Sequence, residues 1–323
     1  MTNIIKNPLI IISGPTASGK TALSLFLARE FRNKFNKEVC IVNFDSLLFY
    51  KELNIGTAKP SLNELSEIQH KLVNIRSIKE PINSFEFVAL ALEEIHKAHL
   101  IGKIVFLVGG SGFYLRALFT DMYESRTPSP EIKNNLNERL KNEGIEPFLK
   151  ILKDNDPESF KSLHRNDHYR IIRAVEHFLS TGTPISEQKQ KSEKKNPYLL
   201  SSTDMSLFHC FLNPAKELHL KIIEDRTIKM LNEGLIEEVK NILAQGFSGS
   251  ERPLRAIGYQ EVISFLNGDI KDFEELKEKI FISTRQLAKS QKTFFKKITP
   301  KMVYDPIKDF NKILNDLELF LSQ

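Results

Sequence analysis

Cysteine is scarce in this chain, with only Cys40 and Cys210 among 323 residues. Two thiols supply neither a Cys-rich zinc site nor a disulfide scaffold. Both sit in apolar runs, so a buried, reduced state is expected. Long hydrophobic runs are missing as well. No stretch approaches the ~20 apolar residues that cross a bilayer, so a membrane partner is not expected. The amino-terminal stretch MTNIIKNPLIIISGP is short and runs into a glycine-rich loop, which reads as a buried first strand and not a signal peptide. A cytoplasmic location follows by elimination. Charge of one sign is not in large excess: 46 Lys and Arg face 41 Asp and Glu, a net charge of +5. Such a balance permits a polyanionic partner without requiring one. With 41% hydrophobic and 27% charged residues, the chain has an ordinary globular composition, long enough for one large domain or two modest ones.

What is present is an alternation. Continuous apolar runs at 9–12, 39–42 and 104–108, with 207–212 as a late addition, each end in a glycine or polar turn. That is the pattern of parallel strands buried on both faces. Helical patterns lie between them, at 21–31 and at 84–99, where Phe87, Val88, Ala91 and Ile95 share a face. The expected fold class is therefore α/β, a P-loop-type parallel sheet flanked by helices. From about Arg126 the character changes. TPSPE opens a helix carrying Ile132, Leu136 and Leu140, helical patterns continue at 148–152 and 168–179, and the polar stretch SEQKQKSEKKNP closes the region. We read 1–125 as the first part of the catalytic core, 126–198 as an inserted all-helical domain, and 199–323 as the completion of the core plus a helical carboxyl-terminal part. One long amphipathic helix is expected over 222–239, interrupted at Gly234.

The sharpest chemical signal is GPTASGKT: Gly14, Pro15, Thr16, Ala17, Ser18, Gly19, Lys20 and Thr21, placed after a strand and before a helix. That context marks a P-loop. Its backbone N–H groups and the helix N-terminus surround a phosphate. Lys20 adds a point charge, and the Thr21 hydroxyl is the candidate ligand of a Mg2+ ion bound to the same phosphates. A common ATPase would carry an acid at the end of a later strand to hold the magnesium shell. The run at 104–108 ends instead in GGSGFYLRAL, with Ser111, and the acid appears as Asp45 in NFDSLLFY. Ligands of parallel sheets sit at the carboxyl ends of strands, so residues 14–21, Asp45 and Ser111 are expected to converge on one crevice. Asp45 as a turn former, and Gly109–Gly110 as a plain turn, are the simpler alternatives.

Here the sequence resembles a known family. GPTASGKT, the DS turn followed by IGTAKP (55–60), GGSGFYLRAL, DHYRIIRAVE with TGTPIS, RAIGYQE and TRQLAKSQKTFF occur in the order seen in the tRNA dimethylallyltransferases, over about residues 9–295. The resemblance implies transfer of a dimethylallyl group from dimethylallyl diphosphate to N6 of the adenosine adjacent to the anticodon, in tRNAs reading codons that start with U. It implies that the P-loop holds the diphosphate, that Asp45 is the general base, and that Arg226 contacts the diphosphate. A solvated helix arginine paired with an acid is the plain reading of Arg226. Ser111 stands where the family usually has threonine and keeps the hydroxyl. By the same resemblance the tRNA anticodon stem-loop meets Asp45, Ser46, Leu47, Leu48 and Ser111. It also meets Lys133, where the family commonly has arginine, and Tyr169, Arg170, Ile171, Ile172 and Arg173. Further contacts fall to Arg255, Gly258, Tyr259, Lys289, Gln291, Lys292 and Lys296. Gly258 and Tyr259 would offer close approach and stacking, with core packing an equal alternative for Tyr259. One element has support from spacing alone: Arg285, Lys289, Lys292 and Lys296 share a helical face that would follow a phosphate backbone, with a solvated basic face the equal alternative. The target adenine must leave the loop stack to react. A monomer is expected.

The chain departs from the family pattern at several places. Leu48 replaces a glutamine that helps hold the target base region. His70, Lys71 and Asn74 replace a His-His pair and a following aspartate. Lys289, Ser290, Gln291 and then Phe294 replace Lys-Arg-Gln and a tryptophan. Three rival functions are an adenylate isopentenyltransferase acting on free AMP, ADP or ATP, a P-loop kinase of a small metabolite, and a non-catalytic RNA-binding module. The insertion and the basic stripe argue against the first, since a mononucleotide needs neither. Intact Lys20, Thr21 and Asp45 argue against the last.

Overall fold

The computed structural model describes residues 7–119, 130–187, 205–298 and 301–322, apart from the side chains of Pro130 and Lys133. Two compact units are present, Met1–Leu118 with Leu200–Gln323, and Phe119–Leu199.

In the first unit the apolar runs form the strands that their pattern predicts: β1 (Pro8–Ser13), β2 (Val39–Asn43), and, after β3 (Gln69–Lys71), β4 (Ile104–Gly109). A fifth, β5 (Ser206–Leu212), and a sixth, β6 (Met302–Tyr304), complete one parallel sheet in the order β3-β2-β4-β1-β5-β6. Leu9, Ile10, Ile11 and Ile12 of β1 are fully buried, with β4 on one side and β5 on the other. Each such side chain contributes about 1.5–3 kcal/mol of transfer free energy, which makes this strand the axis of the core. Helices α1 (Lys20–Phe35), α2 (Leu62–Glu67), α3 (Ser84–Leu100) and α4 (Gly112–Phe119) connect the strands. Cys40 and Cys210 lie buried in β2 and β5, and burial raises both thiols' pKa, for Cys40 to about 11. Both stay protonated, as expected.

The second unit holds α5 (Pro130–Glu143), α6 (Glu146–Asn155), α7 (Pro157–Ser162) and α8 (His168–Thr181). Leu136, Phe148, Leu149, Leu152, Ile171, Ala174 and Val175 form its own core. The polar stretch after Glu187, and residues 120–129, lie outside the described residues.

Back in the first unit, the helix expected over 222–239 is two: α9 (Lys216–Asn232) and α10 (Leu235–Ala244). Gly234 separates them at φ 100, a left-handed conformation that glycine adopts without steric cost. A 3-10 turn (Arg252–Arg255), α11 (Tyr259–Leu266), α12 (Phe273–Phe295) and α13 (Phe310–Leu321) follow. Helices α9–α12 share a second core that includes Leu235, Val239, Leu254, Tyr259, Val262 and Ile280. No helix among the described residues is long and apolar enough to cross a membrane.

Candidate active site

Since β4 lies between β1 and β2, the turns that follow these three strands are neighbours at one edge of the sheet. The P-loop leaves β1, Asp45 leaves β2, and Gly110 and Ser111 leave β4. Thr16, Asp45, Gly110 and Ser111 line one cavity of ≈ 480 Å³, closed from the other side by Ile223, Arg226 and Met230 of α9 and by Leu287, Gln291 and Phe294 of α12. Of the residues expected to converge, Asp45, Ser111 and, from the 14–21 loop, Thr16 line this cavity, and all of its lining lies within the first unit.

Each turn is held by neighbours that the motif does not name. Asn43, buried at the end of β2, accepts from the Asp45 amide at 2.7 Å, and its Nδ2 donates to the Asp45 and Leu72 carbonyls at 3.1 and 3.0 Å. Asp45 Oδ1 accepts from Leu47 N–H at 3.2 Å, an Asx turn that holds the carboxylate in a residue lining the cavity. Gly109 must be glycine: a Cβ there would lie 2.6 Å from the Phe44 carbonyl carbon and 2.7 Å from the Asp45 nitrogen. The glycine pair thus serves close packing of two turns as well as the turn itself.

The P-loop is gripped at the Thr16 residue. Gln291 Oε1 accepts from Thr16 N–H at 2.7 Å, and Gln291 Nε2 donates to the Gly110 carbonyl at 3.0 Å. His219 Nε2 lies 2.9 Å from the Thr16 carbonyl, and its pKa is lowered by burial. The neutral ring therefore serves as donor to that carbonyl. Ser18 Oγ is buried without a protein partner inside the loop.

Near Asp45 the site carries two cations, Lys20 and Arg226, and Arg255 adds another to the lining. Lys20 Nζ folds over the loop and donates to the Gly14 and Pro15 carbonyls at 3.1 and 2.8 Å. Desolvation lowers its pKa to about 8, against the attraction of Asp45 and with help from Arg226. Desolvation likewise lowers the pKa of Arg226, again opposed by Asp45. Arg226 Nη2 donates to the Thr57 carbonyl at 3.4 Å. Arg226 thus faces the cavity, not an acid in solvent, which decides against the plain reading of its sequence context. A cavity with excess positive charge in desolvated surroundings suits an anion.

Of the residues expected to meet RNA, Ser46, Leu47 and Arg255 join the cavity lining. Leu48 does not line it, and its carbonyl accepts from Asn74 N–H at 3.0 Å. Several expectations need correction. Tyr259 is fully buried, with its hydroxyl 2.7 Å from Glu238 Oε1, so it has no free face for a base. Gly258 is buried at the start of α11. Ile171 is fully buried in the second unit's core, where its apolar side chain completes the helix packing. Gln291 spends both ends of its amide on the P-loop and the β4 turn. Lys292, half-buried, donates to the Pro214 carbonyl at 3.2 Å, which takes it out of the exposed basic stripe. Lys289 and Lys296 remain exposed on that face, with Arg285 over the Phe281 ring at 5.9 Å. In the second unit Tyr169 is 64% exposed, Arg170 pairs with Asp167 at 2.8 Å, Arg173 pairs with Glu176, and Ile172 is half-buried. The Lys133 side chain lies outside the described residues.

Sequence reading missed Asn43, His219 and Glu238. Most of their partners are backbone groups, with the Tyr259 hydroxyl on Glu238 as an exception, and a side chain's bond to a peptide group leaves no pattern in the sequence.

Comparison with known proteins agrees with this geometry. The family described as IPP transferase matches residues 48–298. The chain is 38% identical over 293 residues to tRNA dimethylallyltransferase 1 of Trichlorobacter lovleyi, covering 90% of this chain and 92% of that protein. It is 34% identical over 296 residues to the tRNA dimethylallyltransferase of Chlamydia pneumoniae, covering 91% and 83%. Among solved structures, the tRNA isopentenylpyrophosphate transferase of Bacillus halodurans is 28% identical with a TM-score of 0.68, covering 98% of this chain and 97% of that one. A eukaryotic dimethylallyltransferase solved while acting on tRNA is 25% identical with a TM-score of 0.77, covering 96% and 77%. By sequence and by fold, the chain belongs to the IPP transferase family.

Proposed function

We propose that this chain transfers a dimethylallyl group from dimethylallyl diphosphate to N6 of the adenosine adjacent to the anticodon in tRNAs reading codons that start with U, releasing diphosphate. The observation that carries the reading is the convergence of Thr16, Asp45, Ser111 and Arg226 on one cavity. The names of the relatives favour tRNA over a free adenylate as acceptor.

The chemistry follows from the charges. The allylic carbon–oxygen bond breaks and the diphosphate departs with the electron pair, while N6 of adenine bonds to the carbon. Negative charge grows on the departing oxygen, where Lys20, Arg226 and the P-loop amides stabilise it. The amine loses a proton as its new bond forms, and Asp45 is the carboxylate within the cavity to take it. Ser111 lies beside it, its Oγ accepting from Tyr114 N–H at 3.4 Å and its proton free for a substrate oxygen or base. Apolar walls from Ile223, Met230, Ile257 and Phe294 keep out water that would otherwise capture the allyl group.

A magnesium ion fits the donor set as a companion of the substrate. Among the described residues no group of three or more His, Cys, Asp or Glu could form a protein cage for a metal. Magnesium retains waters and binds through few protein oxygens plus phosphates, a role that the Thr21 hydroxyl suits and that the unpartnered Ser18 hydroxyl supports nearby. When bound it would neutralise charge on the leaving diphosphate. The inserted unit, with exposed Tyr169 and Arg170, and the Lys289–Lys296 face are proposed to hold the anticodon stem-loop, in a monomeric cytoplasmic enzyme.

The test is to incubate the protein with magnesium, labelled dimethylallyl diphosphate, and either unmodified tRNA or AMP. Label is expected in tRNA. Label in AMP alone would replace this reading with the adenylate transferase, and phosphoryl transfer from ATP without prenylation would replace it with a kinase.

A further inference from the structure

Glu238 stands in the first turn of α10, beyond the Gly234 break and outside the cavity lining, and no motif points to it. Its carboxylate nevertheless collects four donors. Oε2 accepts from Asn54 N–H at 3.2 Å and Ile55 N–H at 2.8 Å. Oε1 accepts from Gly56 N–H at 3.3 Å and from the buried Tyr259 hydroxyl at 2.7 Å. Three successive amides pointing at one carboxylate form an anion-holding turn of the chain's own making. The loop also lies flat on the Tyr259 ring: a Cβ added to Gly56 would meet Cε2 at 2.6 Å and Cζ at 2.7 Å. Lys59 closes the loop from its far end, donating to the Tyr50 carbonyl at 2.7 Å and to Asn54 Oδ1 at 3.0 Å.

This fastening reaches the cavity within one residue. Gly56 and Thr57 line it, and the Thr57 carbonyl is the acceptor of Arg226 Nη2. We propose that Glu238 is a positioning residue for anion binding: with Tyr259 it fixes loop 54–57, and through the Thr57 carbonyl it sets the direction of the Arg226 guanidinium. The inference rests on the reading of Arg226 as a diphosphate ligand, and it deepens that reading by adding the residues that aim it. A carboxylate is required because a neutral amide in its place presents an NH2 group to at least one of the converging N–H donors.

The test measures binding of magnesium diphosphate and of unmodified tRNA to the full chain by calorimetry, for wild type, Glu238→Gln, Arg226→Lys and the double variant, with donor and tRNA KM determined in parallel. Glu238→Gln is expected to weaken diphosphate about tenfold and to raise donor KM alike, with tRNA affinity unchanged within about twofold. In the Arg226→Lys background the same substitution is expected to add less than about twofold, since residues coupled through a shared stretch of backbone are non-additive. Unchanged diphosphate affinity, a parallel loss for both substrates, or full additivity overturns the proposal. Should Glu238→Gln fail to melt cooperatively, Tyr259→Phe removes one donor from the carboxylate. It is expected to weaken diphosphate a few-fold with tRNA untouched, and no effect on diphosphate overturns the proposal equally. A wild-type chain that binds diphosphate yet prenylates nothing would refute the proposed reaction while leaving this inference standing.

Discussion

Gln291 and Thr16 are 275 positions apart in the chain and share a 2.7 Å hydrogen bond, from the P-loop amide to the glutamine carbonyl oxygen. The other end of the same side chain holds the Gly110 carbonyl, so one amide spans the turns after β1 and β4. Gln291→Ala strands a partly buried N–H, a loss of about 1–3 kcal/mol. We expect donor KM to rise about tenfold while tRNA affinity, measured by filter binding, stays near wild type. A selective loss of tRNA binding would return Gln291 to the RNA interface.

Asp45→Ala is expected to lower kcat by about 10²–10⁴, the usual contribution of a positioned general base. The Asx turn it forms is also supported by Asn43, so folding and tRNA binding should survive. Circular dichroism and tRNA titration check this. Loss of both with the carboxylate would make Asp45 a structural residue.

Lys20 gives the site a pH dependence whose sign is fixed. Its pKa is lowered to about 8, so the free enzyme loses this cation as pH rises through that value. Affinity for an anionic donor falls with it. Donor kcat/KM should therefore be level below about pH 8 and decline by about tenfold per unit above it, with tRNA affinity not following the same curve. A profile flat to pH 10 would remove Lys20 from donor binding.

Gly109→Ala places a methyl group 2.7 Å from the Asp45 nitrogen. Overpacking of this kind costs about 1–3 kcal/mol, and here the displaced atoms belong to the turn that carries the base. We expect a lower Tm and a fall in kcat larger than the loss of stability explains. Wild-type kinetics at normal Tm would show that the turn has room.

Lys289→Glu and Lys296→Glu should each reduce the slope of log K for tRNA against log salt, by about one unit if the side chain neutralises a phosphate. Lys292→Glu should instead lower Tm, since Lys292 is tied to the Pro214 carbonyl. An equal salt effect at all three positions would mean that the stripe acts as one face after all.

These residues mark what sequence reading could reach. Runs such as Leu9–Ile12 are apolar on both faces, which only a buried parallel strand explains, and Gly234 announced its helix break by residue type alone. Strands β3 and β6 passed unnoticed because each is three residues long at an edge of the sheet, where Gln69 and Met302 face solvent and no period develops. At the site, Lys20 and Asp45 were legible because phosphate binding and proton transfer demand those groups after a strand. Tyr259 was not, since a tyrosine beside a glycine looks alike whether it meets a base or a buried carboxylate. Only the fold shows Glu238 waiting on its hydroxyl.

Strand β1 has its two partners far along the chain: β4 begins at Ile104 and β5 at Ser206. During synthesis at ~5–20 residues per second, on the order of ten seconds or more pass between the emergence of β1 and that of β5. Throughout that interval one edge of the most apolar strand has unpaired peptide groups, a template for mispairing with other chains. The helical unit emerges in the meantime and has its own core to fold on. The nascent protein thus passes through a stage in which the inserted unit is complete and the catalytic sheet is still open, and that is the stage at which a chaperone would find it.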